Sequence, residues 1–549
     1  MRRISRSSAA ILLLFTLIAV IRLFPTYTIF NQTYDEPFHI AAGMEWWDKG
    51  AYTYHLLHPP LARVAVALGP YLSGLRWPGS PVTYEDWRGT GSVILTERGN
   101  YLRNLALARI GILPFLVLAC VVVFLWAHRW FGKLAAVFAL LLFTCLPPIL
   151  GHAGLATTDM PVAATVAASL YLFVLCLEQP DWPRTGLLGI AFGAAVASKF
   201  SAIAFLPACL GVAAVYLAIV KRQFLFVRPL RWKRHLFQFA LAMFVAVTCV
   251  WGAYRFSMRP ISPLQGSHRS IDKRTNDTWL RHAAYRAVET PIPLLDVYDG
   301  VRAVRILDEN GHDSYLLGEY RRTGWWYFFP VVLAVKTPIG FLLLSAAGLA
   351  AVFLKTNVSS WQRHLTAIFP IVILLVCMTS NNNTSVRHIL PIYPPLAVLG
   401  GYGAARLVER ASAWMPAVGL LLVAWVAVDS VVAHPDYMAY FNPIASAQPE
   451  NVLCETDLDW GQDLFRLAAR LRSLGATRVT MKYYGTTPLE VAGLPPHQEL
   501  SPVVPATGYI AISIRDLELE HAKDGSYDWL ARYQPLERVG RSIFLYSIP

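Results

Sequence analysis

The sequence predicts a polytopic α-helical membrane protein of about 11 transmembrane helices, with a small C-terminal extracytoplasmic α/β domain. Three observations predict it. First, 55 % of the 549 residues are hydrophobic and only 15 % are charged, where a soluble domain carries roughly 25 % charge. The mean hydropathy is +0.42, and a chain this apolar cannot cover its surface with polar groups. Second, apolar runs close to the ~20 residues needed to cross a bilayer recur along the chain. Third, the basic residues behind the net charge of +13 cluster at the ends of those runs, where membrane proteins place them. No nucleic-acid-binding motif accompanies them, so no nucleic-acid partner is expected. Of the 7 Cys, Cys120, Cys145, Cys176, Cys209, Cys249 and Cys377 lie in apolar runs and read as small buried hydrophobes. Only Cys454 has a polar context. No CxxC pair or Cys/His finger spacing occurs, which excludes zinc-finger and redox-motif readings.

The first apolar run, about 9–29, follows Arg2, Arg3 and Arg6 and has no small-residue cleavage site before Tyr27. It reads as an uncleaved anchor. Further runs fall at 105–127, 133–151, 160–177, 185–198, 201–220, 236–257, 327–353, 364–379, 389–407 and 413–433. With the amino terminus cytoplasmic, the cytoplasmic connections hold Arg129 and Lys133, then Arg184, then the dense stretch from Lys221 to Arg234. The last two hold Lys355 with Arg363, and Arg406 with Arg410. This obeys the positive-inside rule. It leaves 30–104, 258–326 and 434–549 outside, and divides the chain into a transmembrane domain, 1–433, and an extracytoplasmic α/β domain, 434–549. The loop 30–104 is rich in Trp and Tyr, and Phe38–Trp47 suits a helix lying in the interface. In the tail, Gly461–Leu474 reads as an amphipathic helix, and Val479–Tyr484, Tyr509–Ile514 and Ser542–Ile548 as strands. There is no internal repeat and no low-complexity tract.

Several polar residues in this apolar chain need a chemical reason. Tyr34-Asp35-Glu36-Pro37 follows the first run. Two adjacent acids there suit a helix N-terminus, with Pro37 in its first turn, or a general base at the mouth of a membrane cavity. His58-Pro59-Pro60-Leu61 fixes a turn on the same side, or holds His58 near a phosphate or metal. Asp159 opens the fourth run, before Pro161, as an N-cap or as a second acid on the same face as Asp35. Lys199, Lys336, Arg387 and His388 bring cationic or titratable groups to that face. Lys336 has apolar neighbours on both sides, and an ammonium there seeks an anion such as a lipid-linked phosphate. Asp457, Asp459 and Asp463 lack EF-hand spacing and read as caps of the 461–474 helix. Asn31-Gln32-Thr33 and Asn276-Asp277-Thr278 match the glycosylation acceptor pattern.

In this order and on one face, the motifs resemble the polyprenol-phosphate-dependent GT-C membrane glycosyltransferases. The branch is that of protein O-mannosyltransferases and bacterial aminoarabinose transferases. The resemblance runs on through Lys336-Thr337-Pro338 and Arg387-His388-Ile389-Leu390-Pro391-Ile392-Tyr393-Pro394. It continues into His434-Pro435-Asp436-Tyr437-Met438-Ala439-Tyr440-Phe441-Asn442 and Asp457-Leu458-Asp459-Trp460-Gly461-Gln462-Asp463, strings similar to phospholipid carrier-dependent glycosyltransferases. It implies that Asp35 is the catalytic base supported by Glu36, and that Asp159 positions donor or acceptor. It also implies that Lys336 and Arg387 bind the lipid phosphate; His58, Lys199 and His388, on the same face, are further candidates for binding substrate or lipid phosphate. The implied reaction moves a mannose-like hexose or modified pentose from a polyprenyl-phosphate carrier to a protein, lipid or glycan hydroxyl. It inverts the anomeric centre at the outer face of a bacterial cell membrane. Aminoarabinose transferases have Glu-Lys before the Pro-Pro turn, where this chain has Leu57-His58; no metal is predicted, although a divalent ion stays open. The 258–326 loop is too short for the MIR domain of eukaryotic-type protein mannosyltransferases. The alternatives are a polytopic lipid or glycan transporter, and a non-catalytic membrane scaffold. Transporters tend to show repeats and midplane charges, which this sequence does not.

Overall fold

The computed structural model describes residues 5–78, 87–220, 229–261, 278–354 and 361–549. Arg2, Arg3, Lys355, Asn276 and most of the basic stretch from Lys221 to Arg234 lie outside them. Every apolar run singled out in the sequence is helical. Among the described residues, six helices are long and apolar enough to cross a membrane: Arg6–Ile29, Tyr101–Trp130, Asp159–Glu178, Ala202–Ile219, Leu236–Ala253 and Met415–Val432. The number rises to eight if each of two bent pairs is one span: Lys133–Thr144 with Pro147–Ala153, bent by 61°, and Phe328–Lys336 with Ile339–Leu354, bent by 114°. The chain is a multi-pass membrane protein. The helices at the other three expected spans, Trp182–Ser198, Trp361–Cys377 and Tyr393–Val408, have 17, 17 and 16 residues, and Pro60–Leu72 is a further, shorter apolar helix of 13. About 11 apolar helices therefore exist, but not all have the length of a straight span.

The breaks have local causes. Pro147 and Pro148 stand at the start of the second helix of the first bent pair, and Pro338 lies between the helices of the second pair. Proline has no N–H and restricts the residue before it, so the helix stops there and a new one starts in another direction.

The helix Tyr393–Val408 lies at the centre of the bundle, between Ile339–Leu354 and Lys133–Thr144. Its glycines set that position. A Cβ on Gly403 would stand 2.2 Å from the Leu344 carbonyl oxygen, and one on Gly348 would stand 1.9 Å from that of Leu399. The backbones touch where side chains would keep them apart, which is how helices pack tightly in lipid, where water supplies no drive to associate.

The C-terminal region carries a five-stranded sheet. From edge to edge it runs His497–Glu499, Val479–Lys482, Gly508–Ser513, Ile543–Ile548 and Glu537–Val539. The first two pairings are parallel and the last two antiparallel. Alternate residues face opposite sides. Val479, Met481, Ile543 and Leu545 meet Leu464, Leu467 and Leu471 of the helix Leu464–Ser473, whereas Ile510, Ile512, Tyr546 and Ile548 meet Trp529 and Leu530. The strands expected at 479–484, 509–514 and 542–548 coincide with three of these. The edge strands and the helix Ile514–Asp524 were not expected, because their short, charged stretches carry no period.

Between bundle and sheet, residues 434–463 act as a joint, buried from Leu453 onward. Asn442 donates to the carbonyls of Ala334 (2.5 Å) and Thr337 (2.8 Å). Asn31 donates to the Gly461 carbonyl (2.6 Å) and accepts from the Leu464 N–H (2.8 Å). Asn31 is fully buried, so its match to the glycosylation pattern is a chance one: its amide fastens the sheet region to the exit of the first helix.

Gly403→Leu or Gly348→Leu is expected to force the central helices apart, at about 1–3 kcal/mol or more. In detergent the variant should melt several degrees lower and lose its monodisperse gel-filtration peak. Gly211→Ala, where a Cβ meets nothing within 4 Å, should behave as the parent.

Candidate active site

Asp35 and Glu36 are adjacent in sequence and have opposite fates. Glu36 opens the helix Glu36–Asp48 and points inward, fully buried. Its carboxylate accepts from Arg109 Nε (2.9 Å) and Nη2 (2.8 Å), from the Ala156 N–H (2.8 Å) and from the Thr33 N–H (2.8 Å). Burial alone would raise its pKa; Arg109 and the two backbone donors outweigh this and hold it below the usual carboxylate value. Every lone pair is committed, so Glu36 does not face the reacting region. Glu36 fixes the backbone that carries Asp35.

Asp35 faces the other way. Its Oδ2 accepts from Arg387 Nη1 at 2.5 Å, and both side chains retain 16 % exposure. Arg387 sits on the short helical turn Val386–Ile392, whose start is held by Asp457: the Asp457 carboxylate accepts from Ser385 Oγ (3.0 Å) and the Val386 N–H (3.1 Å). The guanidinium also lies 4.6 Å from the Trp460 ring centroid.

A second acid–base pair lies beside the first. Asp159 is the first residue of the helix Asp159–Glu178 but does not cap it. Its Oδ1 accepts from Lys199 Nζ at 2.6 Å, and His152 Nδ1 stands 3.9 Å from its Oδ2. Lys199 follows the helix Trp182–Ser198. Arg387 feels the charge of both Asp35 and Asp159, so the two pairs form one electrostatic unit.

The other predicted residues are placed differently. Lys336 is buried; its ammonium donates to the carbonyls of Met438 (2.7 Å) and Asp457 (2.6 Å) and lies 4.1 Å from the Phe441 ring. It fastens the joint and is not an open phosphate cation. His388 shares a 2.9 Å hydrogen bond with Thr384 Oγ1. His58 is held neutral, because burial first and the Arg63 charge second push its pKa well down. The cation at this corner is Arg63, which sequence reading missed. It is fully buried, donates to His39 Nδ1 (3.1 Å) and the Tyr52 hydroxyl (3.0 Å), lies 2.7 Å from His55 Nδ1, and meets no carboxylate among the described residues. The signal was present: Arg63 closes the run His58-Pro59-Pro60-Leu61-Ala62-Arg63, one turn into the helix Pro60–Leu72. Among the described residues, no group of three His, Cys, Asp or Glu side chains is placed to hold a metal ion.

Residues 103–253 match the family described as dolichyl-phosphate-mannose-protein mannosyltransferase. The oligosaccharyltransferase of Archaeoglobus fulgidus, in its apo form, superposes with a TM-score of 0.53 at 12 % identity, over 96 % of this chain and 72 % of that one. The fold is that of the GT-C glycosyltransferases. ArnT from Cupriavidus metallidurans, solved bound to undecaprenyl phosphate, covers 97 % of each chain at 14 % identity and a TM-score of 0.49. No curated protein matches the chain in sequence. The matched family segment runs through Arg109, Asp159 and Lys199. Fold and family together point to glycosyl transfer in general.

Removing one partner of a buried ion pair leaves a bare charge, at a cost of about 3–5 kcal/mol. Glu36→Gln and Arg109→Met should therefore each lower the melting temperature in detergent sharply, whereas Asp35→Asn should not. Because the folded-state pKa of Glu36 is depressed, its contribution is complete above the ordinary carboxylate pKa and is lost as pH falls through the folded value. The melting temperature of the parent should therefore not vary through Glu36 between pH 5 and 7, and acid-induced loosening that depends on it should begin only below about 4.5.

Proposed function

We propose that this protein transfers a sugar from a polyprenyl-phosphate carrier to an acceptor hydroxyl, on the membrane side that bears the C-terminal sheet, with Asp35 as general base. The observation that carries the reading is the Asp35–Arg387 pair: a carboxylate and a guanidinium, each partly open, joined at 2.5 Å beside the Asp159–Lys199 pair.

A donor of this kind brings its own leaving group. The protein must take the acceptor's proton, hold its oxygen in line with the anomeric carbon and stabilise phosphate charge. Arg387 offers several N–H donors in a fork that matches a phosphate. A phosphate drawing on that fork competes with Asp35 for Arg387 and frees the carboxylate to meet the acceptor hydroxyl. Asp35 then accepts the hydroxyl proton. The acceptor oxygen forms its bond to the anomeric carbon as the carbon–phosphate-oxygen bond breaks, and the electron pair leaves with the polyprenyl phosphate. A single displacement from the opposite face inverts the anomeric configuration. Lys199, held in place by Asp159, is the further cation for the phosphate, with the buried charge of Arg63 behind it. An acceptor hydroxyl on protein, lipid or glycan satisfies the same chemistry.

Transfer from radiolabelled polyprenyl-phosphate mannose, followed by a panel of other lipid-linked sugars, to a crude membrane acceptor extract checks this. Asp35→Asn should lower transfer by about 10²–10⁴-fold, the usual worth of a general base, with melting unchanged. Transfer by Asp35→Asn within a few-fold of the parent would remove Asp35 from the reaction. Absence of both transfer and lipid binding across the panel would overturn the enzyme reading.

A further inference from the structure

Four buried acids lie in the joint between bundle and sheet: Glu455, Asp457, Asp459 and Asp463. Three have their carboxylates satisfied from the chain itself. Asp457 accepts from Ser385 and Val386, Asp459 from the N–H groups of Gly461 (3.0 Å) and Arg515 (3.3 Å), and Asp463 from the Arg541 N–H (2.9 Å) and Ser542 Oγ (2.9 Å). None caps the helix Leu464–Ser473 through its side chain, so the capping expected from the sequence is replaced by cross-links between segments. Glu455 differs. Its side chain is 2 % exposed, yet neither carboxylate oxygen has a hydrogen-bond partner among the described residues.

A dry carboxylate without donors is costly, and such a group in a folded protein asks for an explanation. Its surroundings limit what could supply the donors. Arg515 Nε stands 3.5 Å away and is itself without a hydrogen bond. The rest of that guanidinium is committed to Asp516 (3.0 Å) and to the Tyr484 ring, 4.3 Å from its centroid. Tyr484 stacks on Tyr34 at 4.8 Å and 10°, and Tyr34 is the residue before Asp35. Arg387 and His312 also bear on Glu455 electrostatically. Two stacked rings, Tyr484 and Tyr34, thus lie between the Glu455–Arg515 pair and the segment that carries Asp35, on the part of the chain that carries the sheet.

We infer that Glu455 accepts hydrogen bonds from the hydroxyls of a neutral sugar on the lipid-linked donor, and so distinguishes sugar-bearing from bare carrier. The inference rests on the lipid-linked donor proposed above. A phosphate is disfavoured here by the carboxylate. An ammonium, as on an amino sugar, is disfavoured by Arg515 and Arg387, which already supply positive charge. Neutral hydroxyls donate without adding charge of either sign. Burial pushes the Glu455 carboxyl up, the direction expected of an acid whose hydrogen-bond donors are missing.

Binding to the full-length protein in nanodiscs tests this with defined probes: farnesyl phosphate, the farnesyl-phosphate adducts of mannose, glucose and galactose, and that of 4-aminoarabinose. The parent should bind at least one neutral hexosyl lipid about ten-fold more tightly than farnesyl phosphate, a difference of one decade in Kd. Glu455→Gln should erase that preference while leaving the affinity for farnesyl phosphate unchanged. The inference is overturned if the variant keeps the preference, if it weakens both classes alike, if no hexosyl lipid outbinds farnesyl phosphate, or if the aminopentosyl lipid binds best. Failure of every probe, farnesyl phosphate included, would sink the lipid-carrier reading and this inference with it. Binding of farnesyl phosphate without sugar preference would sink this inference alone.

Discussion

The ion pair between Glu36 and Arg109 holds together everything that the site requires. In a bilayer, charge must be paired or removed, and this pair does more than neutralise itself. Arg109 also donates to the carbonyls of Phe30 (3.0 Å) and Asn31 (2.9 Å), at the exit of the first helix. Glu36 also accepts from Ala156, three residues before Asp159. One buried contact therefore joins the first helix, the helix Tyr101–Ile110 and the loop that leads to Asp159. Asp35 and Asp159 are 124 positions apart in sequence, yet each is a short stretch of chain from the same pair. Their relative position follows from it.

The cations sort by the same rule. Arg109 and Lys336 have every obvious demand met by carboxylates, carbonyls or a ring, and they hold the fold. Arg387 and Lys199 have one carboxylate each and some exposure. Arg63 has none and is held by neutral acceptors. A side chain's capacity to meet a ligand is what remains after its internal partners are counted. By that count the open cations are Arg387 and Lys199, and Arg63 is a buried charge already committed to His39, Tyr52 and His55.

Much of the fold was legible from the sequence because its causes are local. Apolar length places helices, proline breaks them, and alternation places strands, so the helical runs and the three long strands could be read directly. The acidic motif at Asp35, Asp159 and the cation Arg387 were legible as chemistry, since each is a polar residue where the local pattern has no use for it. Orientation was not legible. Nothing in the string Asp35-Glu36 says that one carboxylate stays partly open beside Arg387 and the other meets an arginine 73 positions later. Lys336 looked like an open ammonium because its sequence neighbours are apolar, but the carbonyls it binds belong to Met438 and Asp457. Arg63 and Glu455 escaped for the converse reason: each looks ordinary in sequence, and only the missing partner in space marks it out.

Charge balance links these observations to the proposed chemistry. Asp35 and Asp159 contribute two negative charges, and Arg387, Lys199 and Arg63 three positive ones, while His39 and His58 are kept neutral by burial and by Arg63. Without a ligand the cluster therefore carries an excess of one positive charge. A sugar phosphodiester carries one negative charge and cancels it. When Asp35 takes the acceptor's proton the cluster loses a negative charge, and at the same moment the phosphodiester becomes a phosphate monoester with a second charge to place. The excess on the protein and the charge on the phosphate rise together. Stabilisation then grows along the reaction rather than being complete on binding, which is the condition for lowering a barrier rather than merely capturing a substrate. One partly open acid between two partly open cations, with the buried charge of Arg63 behind them, suits the proposed transfer.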